Sequence, residues 1–290
     1  MVRLGLPIAA IALIVYAVVT VRAKLRTARQ LVRAVRGDKV VTDAKQPHEG
    51  EQATKLALGA MMAVQNREPW NTLVLPSSFR GDTAQMIGNP NSWGIADTDD
   101  LMAAVGRMLD EQFGDPDVQV AMAVRRELAA TSGRAPSPQA WLADLDRVHN
   151  EAGAPQSLLA ERRAAAQRVI NYETTMLEDG LLTEPLADPL AYDIGRAVAL
   201  ARWGLVCRLI DEATAQGIVD RAAAQAWARY ASWDEFGSSY LLGRIIAFDE
   251  DEVGAWYETS RTSLQLLRTA PDSPWRLNPW PSTATATPGA

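Results

Sequence analysis

A small set of polar side chains within apolar, helix-like sequence could do chemistry in this chain. Two arginines follow Asp193 in one apolar run, and a third, Arg244, ends the stretch YASWDEFGSSYLLGR. A guanidinium can bind a carboxylate or phosphate through paired hydrogen bonds, and neighbouring tryptophan rings can stack on it. The candidate site residues are Asp193, Arg196, Arg202, Trp203, Ser239, Tyr240, Arg244 and Trp275.

These residues allow two interpretations. In the first, they form a buried ion-pair network that holds helices in register, because an unpaired buried charge is strongly destabilising. In the second, Arg196 and Arg244 bind an anion, and Tyr240 or Asp193 handles a proton. The sequence favours the network, so Arg244 is expected to have a carboxylate partner inside the core.

Other kinds of catalytic chemistry have little support in the sequence. His48 and His149 have no metal-ligand partner at helical spacing, and Cys207 lies in an apolar run that suits a buried thiol better than a nucleophile. The chain contains no P-loop, no GxGxxG following a strand and no GxSxG elbow. We therefore expect no metal and no cofactor, and the sequence favours a non-enzymatic role.

Charge is distributed unevenly along the 290 residues. The net charge is −6, yet the segment up to Lys39 contains eight basic residues and one acidic residue. The remainder contains 21 basic and 34 acidic residues and carries a net charge of −13. Nucleic-acid binding requires a basic surface, so this acidic body predicts no nucleic-acid partner.

Residues 4–21 contain no charged side chain. Eighteen helical residues span about 27 Å, enough for a bilayer core. A cleaved signal peptide is the competing interpretation, but Arg22, Lys24 and Arg26 occupy the place where cleavage would occur. Seven basic residues follow the segment, so the positive-inside rule predicts a single-pass anchor in the inner, cytoplasmic membrane. The domain after it would be cytoplasmic, with membrane lipid as a partner.

The helical period of the apolar residues, without a convincing period-2 run, predicts an all-α body over residues 51–280. Residues 22–50 read as a basic juxtamembrane helix and a linker, and residues 281–290 as a disordered tail. Residues 71–92 read as a long loop or lid, without excluding a short hairpin. Residues 271–280, which contain three prolines, read as an extended strap whose tryptophans pack on the body.

The helix that begins at Ser232 is expected to lie at the centre of the body. Ser232 and Glu235 match a capping box, in which the serine accepts the Glu235 amide and the glutamate reaches back to the Ser232 amide. The helix is apolar nearly all round, as buried helices are. Gly243 is unfavourable in its interior, so another helix is expected to approach closely there.

A second long apolar helix is expected before it. Asp188 and Pro189 read as its N-cap and first residue, and the apolar pattern continues to Gln216. Gly217 then reads as its C-terminal cap, and Asp220 as the start of the next helix.

Several ordered motifs make residues 53–280 resemble a bacterial family known as domain of unknown function 1266. The resemblance implies no established reaction, and the match is weak between about residues 115 and 180. The motifs are Trp93-Gly94-Ile95 with Asp97, Asp193-Ile194-Gly195-Arg196, Ala201-Arg202-Trp203-Gly204, Tyr230-Ala231-Ser232-Trp233 with Glu235-Phe236, Ser239-Tyr240-Leu241-Leu242-Gly243-Arg244, Asp272-Ser273-Pro274-Trp275-Arg276 and Pro279-Trp280.

Two functions follow from these observations. The first is a membrane-tethered cytoplasmic interaction or scaffold domain with a protein partner. The second is a sensor or enzyme for a small anionic ligand, with its site between the Arg196 and Arg244 helices, beneath the 71–92 loop and the Trp275 strap.

Overall fold

The body is all-helical, as predicted. The structure, a computed structural model, describes residues 37–111, 114–249 and 253–281. Within these ranges no strand forms, and the only β-type pairing is a bridge between Val41 and Pro69. The α-helices are α1 (Glu51–Leu56), α2 (Ala60–Asn66), α3 (Arg80–Gly88), α4 (Thr98–Leu109), α5 (Pro116–Ser132), α6 (Pro138–Glu151), α7 (Gln156–Glu178), α8 (Ala191–Cys207), α9 (Glu212–Arg229), α10 (Trp233–Phe248), α11 (Ala255–Thr269) and α12 (Pro274–Leu277), with 3-10 turns at Ala57–Gly59 and Ser77–Phe79.

Helix α8 has the most helical neighbours in the described body. It packs against α2, α3, α4, α9 and α10, and nearly all its side chains are buried. Helix α10 is also largely buried and packs against α7, α8 and α11. The sequence therefore identified α10 correctly as an interior helix, but α8 is the one that most elements surround.

The predicted N-terminus of α10 is confirmed, with one change in its hydrogen bonds. Ser232 is the N-cap, and its hydroxyl accepts the amide of Glu235 at 3.1 Å. The Glu235 carboxylate accepts the amide of Ala231 at 2.7 Å, instead of the predicted Ser232 amide. The two side chains thus cap the helix as predicted, except that the glutamate bonds to the amide one residue before Ser232.

Gly243 lies where α10 meets the segment that leads into α8. A methyl group added at this position would lie 2.4 Å from the Pro189 carbonyl oxygen and 2.7 Å from Cβ of Tyr192. Side-chain carbons essentially never approach backbone oxygens so closely. The predicted close approach at Gly243 is therefore confirmed.

The predicted limits of the helix before it were wrong. Helix α8 begins at Ala191 with Leu190 as its N-cap, and it ends at Cys207, where Arg208 takes a left-handed conformation with φ of 64°. Asp211 then caps α9 by accepting the amide of Thr214 at 2.8 Å. Gly217 lies inside α9 and is not the C-terminal cap of a helix. The apolar pattern predicted one continuous helix because apolar residues continue across the break between α8 and α9. The residue that makes the turn is an arginine, whereas a glycine would have marked it in the sequence.

Two other segments contain helix that the sequence did not indicate. Helix α3 lies within the expected 71–92 loop, and α12 lies within the expected extended strap. Only Thr83 and Ile87 are buried in α3. Its sequence therefore lacks the repeated apolar positions that would have predicted a helix.

The predicted linker up to residue 50 packs, in part, on the body. A compact unit begins at Lys39. Trp70 donates its indole N–H to the Thr42 hydroxyl at 3.0 Å, and the Asn71 amide donates to the Asp43 carbonyl at 2.9 Å. These contacts hold residues 42 and 43 against the segment after α2.

Several predictions concern parts of the chain outside the described residues. These are the anchor at residues 4–21, the basic helix as far as residue 36, and the tail from residue 282. Among the helices that the structure describes, none is long and apolar enough to cross a membrane.

Candidate ligand cavity

A cavity of about 530 Å³ opens between α5, the N-terminal part of α8 and the C-terminal half of α10. Most of its lining is apolar and includes Met122, Leu190, Ile246 and Phe248. Ligand pockets in proteins usually enclose about 300–1,000 Å³ and combine such a lining with a few polar groups. The cavity therefore has the size and character of a small-molecule site.

Two predicted site residues, Asp193 and Arg196, line this cavity. They lie one turn apart on α8 and form an ion pair, and both side chains are nearly buried. The Arg196 guanidinium carbon lies 4.3 Å from the ring centroid of Tyr192 and 5.8 Å from that of Trp93. Helix α8 thus presents an ion pair and an aromatic ring to the cavity from a single turn.

Burial raises the pKa of Asp193 above its ordinary value, although the charge of Arg196 and the hydrogen bond from it act in the opposite direction. The carboxyl group consequently holds a proton more readily than an exposed aspartate does. Asp193 is the lining residue best suited to exchange a proton with a bound molecule.

The other charges at the cavity are paired with one exception. Asp115 accepts a hydrogen bond from Arg168 at 2.6 Å, and Glu111 forms an ion pair with Arg229. Arg126, which is half-buried on α5, has no carboxylate partner among the described residues. Arg126 is therefore the cation most available to a ligand.

Tyr240 and Arg244 lie behind the cavity wall and do not line it. The Tyr240 ring packs edge-on against Tyr192 at 5.1 Å between centroids. The Arg244 guanidinium carbon lies 4.9 Å from the ring centroid of Trp256, on the side of α10 that faces α11. The predicted carboxylate partner of Arg244 is absent among the described residues, so the expectation of a core ion pair was wrong for this arginine.

Arg202 and Trp203 belong to a separate structural cluster. Arg202 is completely buried, donates to the Thr72 carbonyl at 2.9 Å and to the Pro69 carbonyl, and lies 3.4 Å from the Glu68 carboxylate. The Trp203 indole donates to the other oxygen of Glu68 at 2.9 Å. The cluster is a buried ion pair of the kind that the sequence favoured, but it contains only Arg202 and Trp203 of the predicted network. It anchors the segment after α2 to α8.

Ser239 also has a structural role, at the start of α8. Its hydroxyl donates to the Asp188 carbonyl at 2.8 Å and accepts the Ala191 amide at 3.2 Å. The Tyr230 hydroxyl lies 2.9 Å from it and donates to the Asp188 carboxylate at 2.6 Å. Ser239 therefore fixes the entry into α8 rather than contacting the cavity.

Trp275 lies with the aromatic strap, outside the cavity lining. Its ring stacks on Trp233 at 5.4 Å, and its indole donates to the Ala57 carbonyl at 3.0 Å. The predicted packing of the strap on the body is confirmed, but the strap does not cover the cavity. Of the expected 71–92 lid, only Ser92 reaches the lining.

Sequence reasoning missed the entire α5 wall, including Arg126. An arginine on a half-exposed helix face has no local signature that separates it from ordinary surface charge. Only the docking of α5 beside α8 and α10 makes Arg126 part of the site.

One protein-family profile matches the sequence of this chain. The profile of a family described as "Protein of unknown function (DUF1266)" matches residues 90–280, more than half of the chain. No curated protein and no solved structure matches the chain. The matched range begins later than the expected residue 53, but it contains every residue that lines the cavity. The chain therefore belongs to the DUF1266 family.

Proposed function

We propose that this protein is a small-molecule-binding domain whose site is the cavity between α5, α8 and α10. The cavity itself is the observation that carries the proposal: about 530 Å³, mostly apolar walls, and a small set of convergent charges. The ligand we propose has an apolar body and one anionic group. The apolar lining takes the body, and Arg126 takes the anion, because the acidic lining residues are already engaged by other arginines.

The native mass spectrum of the full chain, purified in a non-ionic detergent, tests this proposal. We expect extra mass that is lost on denaturation. Replacing Arg126 with glutamine should weaken retention by about 10–100-fold, the usual value of a hydrogen bond to a charged group. Ala247→Trp, which places an indole inside the lining, should abolish retention. Arg134→Gln is the matched control, because Arg134 is exposed and lies outside the lining.

The charge of the ligand can be tested directly with 4-phenylbutyrate and its neutral amide, using isothermal titration calorimetry. The carboxylate should bind more tightly than the amide, and Arg126→Gln should remove the difference. A protein that carries no extra mass and binds neither probe would contradict the proposal. That result would favour the alternative role, an interaction or scaffold module that binds a protein partner.

We further propose that residues 4–21 tether this domain to the cytoplasmic face of the inner membrane. The support is the charge-free segment followed by seven basic residues. A C-terminal fusion to a reporter that is active only in the cytoplasm should be active, and the protein should fractionate with membranes. A reporter active only in the periplasm should be inactive at the same position, and activity there would overturn the proposed orientation.

A further inference from the structure

Arg244 is a buried cation in neutral surroundings. Only 5% of its surface is exposed. Its guanidinium donates to the Gln65 side-chain oxygen at 2.7 Å, lies 4.0 Å from the Met62 sulfur and faces the Trp256 ring. Its Nε–H has no acceptor among the described residues. An amide, a thioether and an indole stabilise a cation, but none of them neutralises it.

Two buried hydroxyl groups, one on α10 and one on α11, also lack a hydrogen-bond acceptor among the described residues. Tyr240 lies one turn before Arg244 on α10, is completely buried, and has no acceptor there for its hydroxyl proton. Ser260 on α11 is equally buried and has no partner within the described part of the chain. It lies on the same face of α11 as Trp256, one turn away, and that ring packs on Arg244. Arg244, Tyr240 and Ser260 therefore each have a donor without an acceptor among the described residues, on two helices that meet at Arg244 and Trp256.

Burial raises the pKa of the Tyr240 hydroxyl above its ordinary value, and the charges of Arg244 and Arg196 and a hydrogen bond from Arg244 only partly oppose this effect. Tyr240 accordingly keeps its proton near neutral pH and acts as a hydrogen-bond donor. A hydrogen-bond acceptor beside this hydroxyl would therefore be favourable, whereas another donor would not.

Arg244 forms no ion pair with a carboxylate among the described residues. Asp193 is paired with Arg196, and the buried Asp249 carboxylate accepts the backbone amides of Gly254, Trp256 and Tyr257 at the start of α11. Buried charges are normally paired, because removing a charge from water is costly unless an opposite charge or several hydrogen bonds replace the water. A single negative charge that accepts hydrogen bonds would satisfy both requirements.

We propose that Arg244, Tyr240 and Ser260 form a buried binding site for a small monovalent anion. The anion is either a free halide or the carboxylate end of an organic acid, since both supply one negative charge and several lone pairs. The site is distinct from the cavity described above, because neither Arg244 nor Tyr240 lines that cavity. The anionic group assigned to Arg126 and the anion assigned to Arg244 are therefore tested separately.

The test measures the melting temperature of the full chain in non-ionic detergent at constant ionic strength, with sodium chloride or bromide replacing sodium sulfate. Each tenfold increase in halide above its Kd should raise the melting temperature by about 3–6 °C. Arg244→Met, which keeps an unbranched apolar side chain, should abolish this dependence. Without halide it should melt no lower than the unsubstituted protein, because it removes an unpaired buried charge.

A second variant keeps the test decisive if Arg244→Met fails to fold. Tyr240→Phe preserves the ring packing and removes one donor, so the halide concentration for half-maximal stabilisation should rise about tenfold. Arg276→Met, at an exposed arginine on α12, is the control and should respond to halide as the unsubstituted protein does.

The two sources of the anion give different results. Halide-dependent melting that is lost in Arg244→Met supports a free ion. Melting that is independent of halide, together with a copurifying organic acid in the native mass spectrum that Arg244→Met loses and Arg126→Gln retains, supports a bound carboxylate. Equal halide dependence in the unsubstituted protein and both variants, or neither halide dependence nor a retained acid, overturns the site whether or not the cavity binds a ligand.

Discussion

Replacing Glu68 with alanine is expected to lower the free energy of unfolding by about 3–5 kcal/mol, the cost of removing one partner of a buried ion pair. Arg202 is completely buried, and Glu68 provides the only carboxylate beside it among the described residues. The same substitution leaves the Trp203 indole N–H without its acceptor. Urea unfolding of the full chain in non-ionic detergent, followed by far-UV circular dichroism, measures the change.

Two controls separate this effect from a general sensitivity to charge removal. Arg163 forms an ion pair with Asp146 at 2.8 Å, but about half of the arginine side chain is exposed. Arg163→Met should therefore change stability by less than about 1 kcal/mol. The double substitution Glu68→Leu with Arg202→Met should recover much of the loss, because it removes both charges of this buried pair. A loss below about 1 kcal/mol in Glu68→Ala would show that this pair does not hold α8 to the segment after α2.

Gly243→Ala is expected to produce the second large effect. The added methyl group would lie 2.4 Å from a backbone oxygen of Pro189, and a backbone atom cannot move aside as the end of a flexible side chain can. Overpacking of this kind costs about 1–3 kcal/mol, and this position should lie at the upper end or above it. The melting temperature should fall by about 2–4 °C for each kcal/mol. Ligand binding should also weaken, because Gly243 lines the cavity.

Gly217→Ala is the matched control, with an expected effect of the opposite sign. Gly217 lies in the interior of α9, and a methyl group added there would meet no atom within 4 Å. Alanine favours the helix over glycine by about 0.5–1 kcal/mol, so this variant should be more stable than the unsubstituted protein. If both glycine substitutions changed stability in the same direction, the close approach at Gly243 would not be the cause.

A local sequence signal identified the start of α10 correctly. Ser232 caps this helix by accepting the backbone amide of Glu235. This prediction succeeded because a capping side chain bonds to the backbone within three residues of itself. The break between α8 and α9 was missed because its left-handed residue is Arg208, and nothing in the local sequence marks an arginine for that conformation.

The roles of the candidate site residues could not be read in the same way. The sequence grouped eight residues into one polar set, and the structure divides them among five places. Asp193 and Arg196 line the cavity, and Tyr240 and Arg244 lie behind its wall. The others serve structural contacts at Glu68, at the start of α8 and in the aromatic strap.

The sequence by itself determined the all-α class, the start and interior position of α10, and the close approach at Gly243. These features depend on side-chain type and on spacing of up to one or two helical turns. The tertiary structure decided which buried arginine has a carboxylate partner. Arg202 pairs with Glu68, which lies 134 positions earlier in the chain. Arg244 instead donates a hydrogen bond to the neutral side chain of Gln65, which lies 179 positions earlier. It also decided that α5 completes the cavity, because partners so distant in sequence meet only through the packing of whole helices.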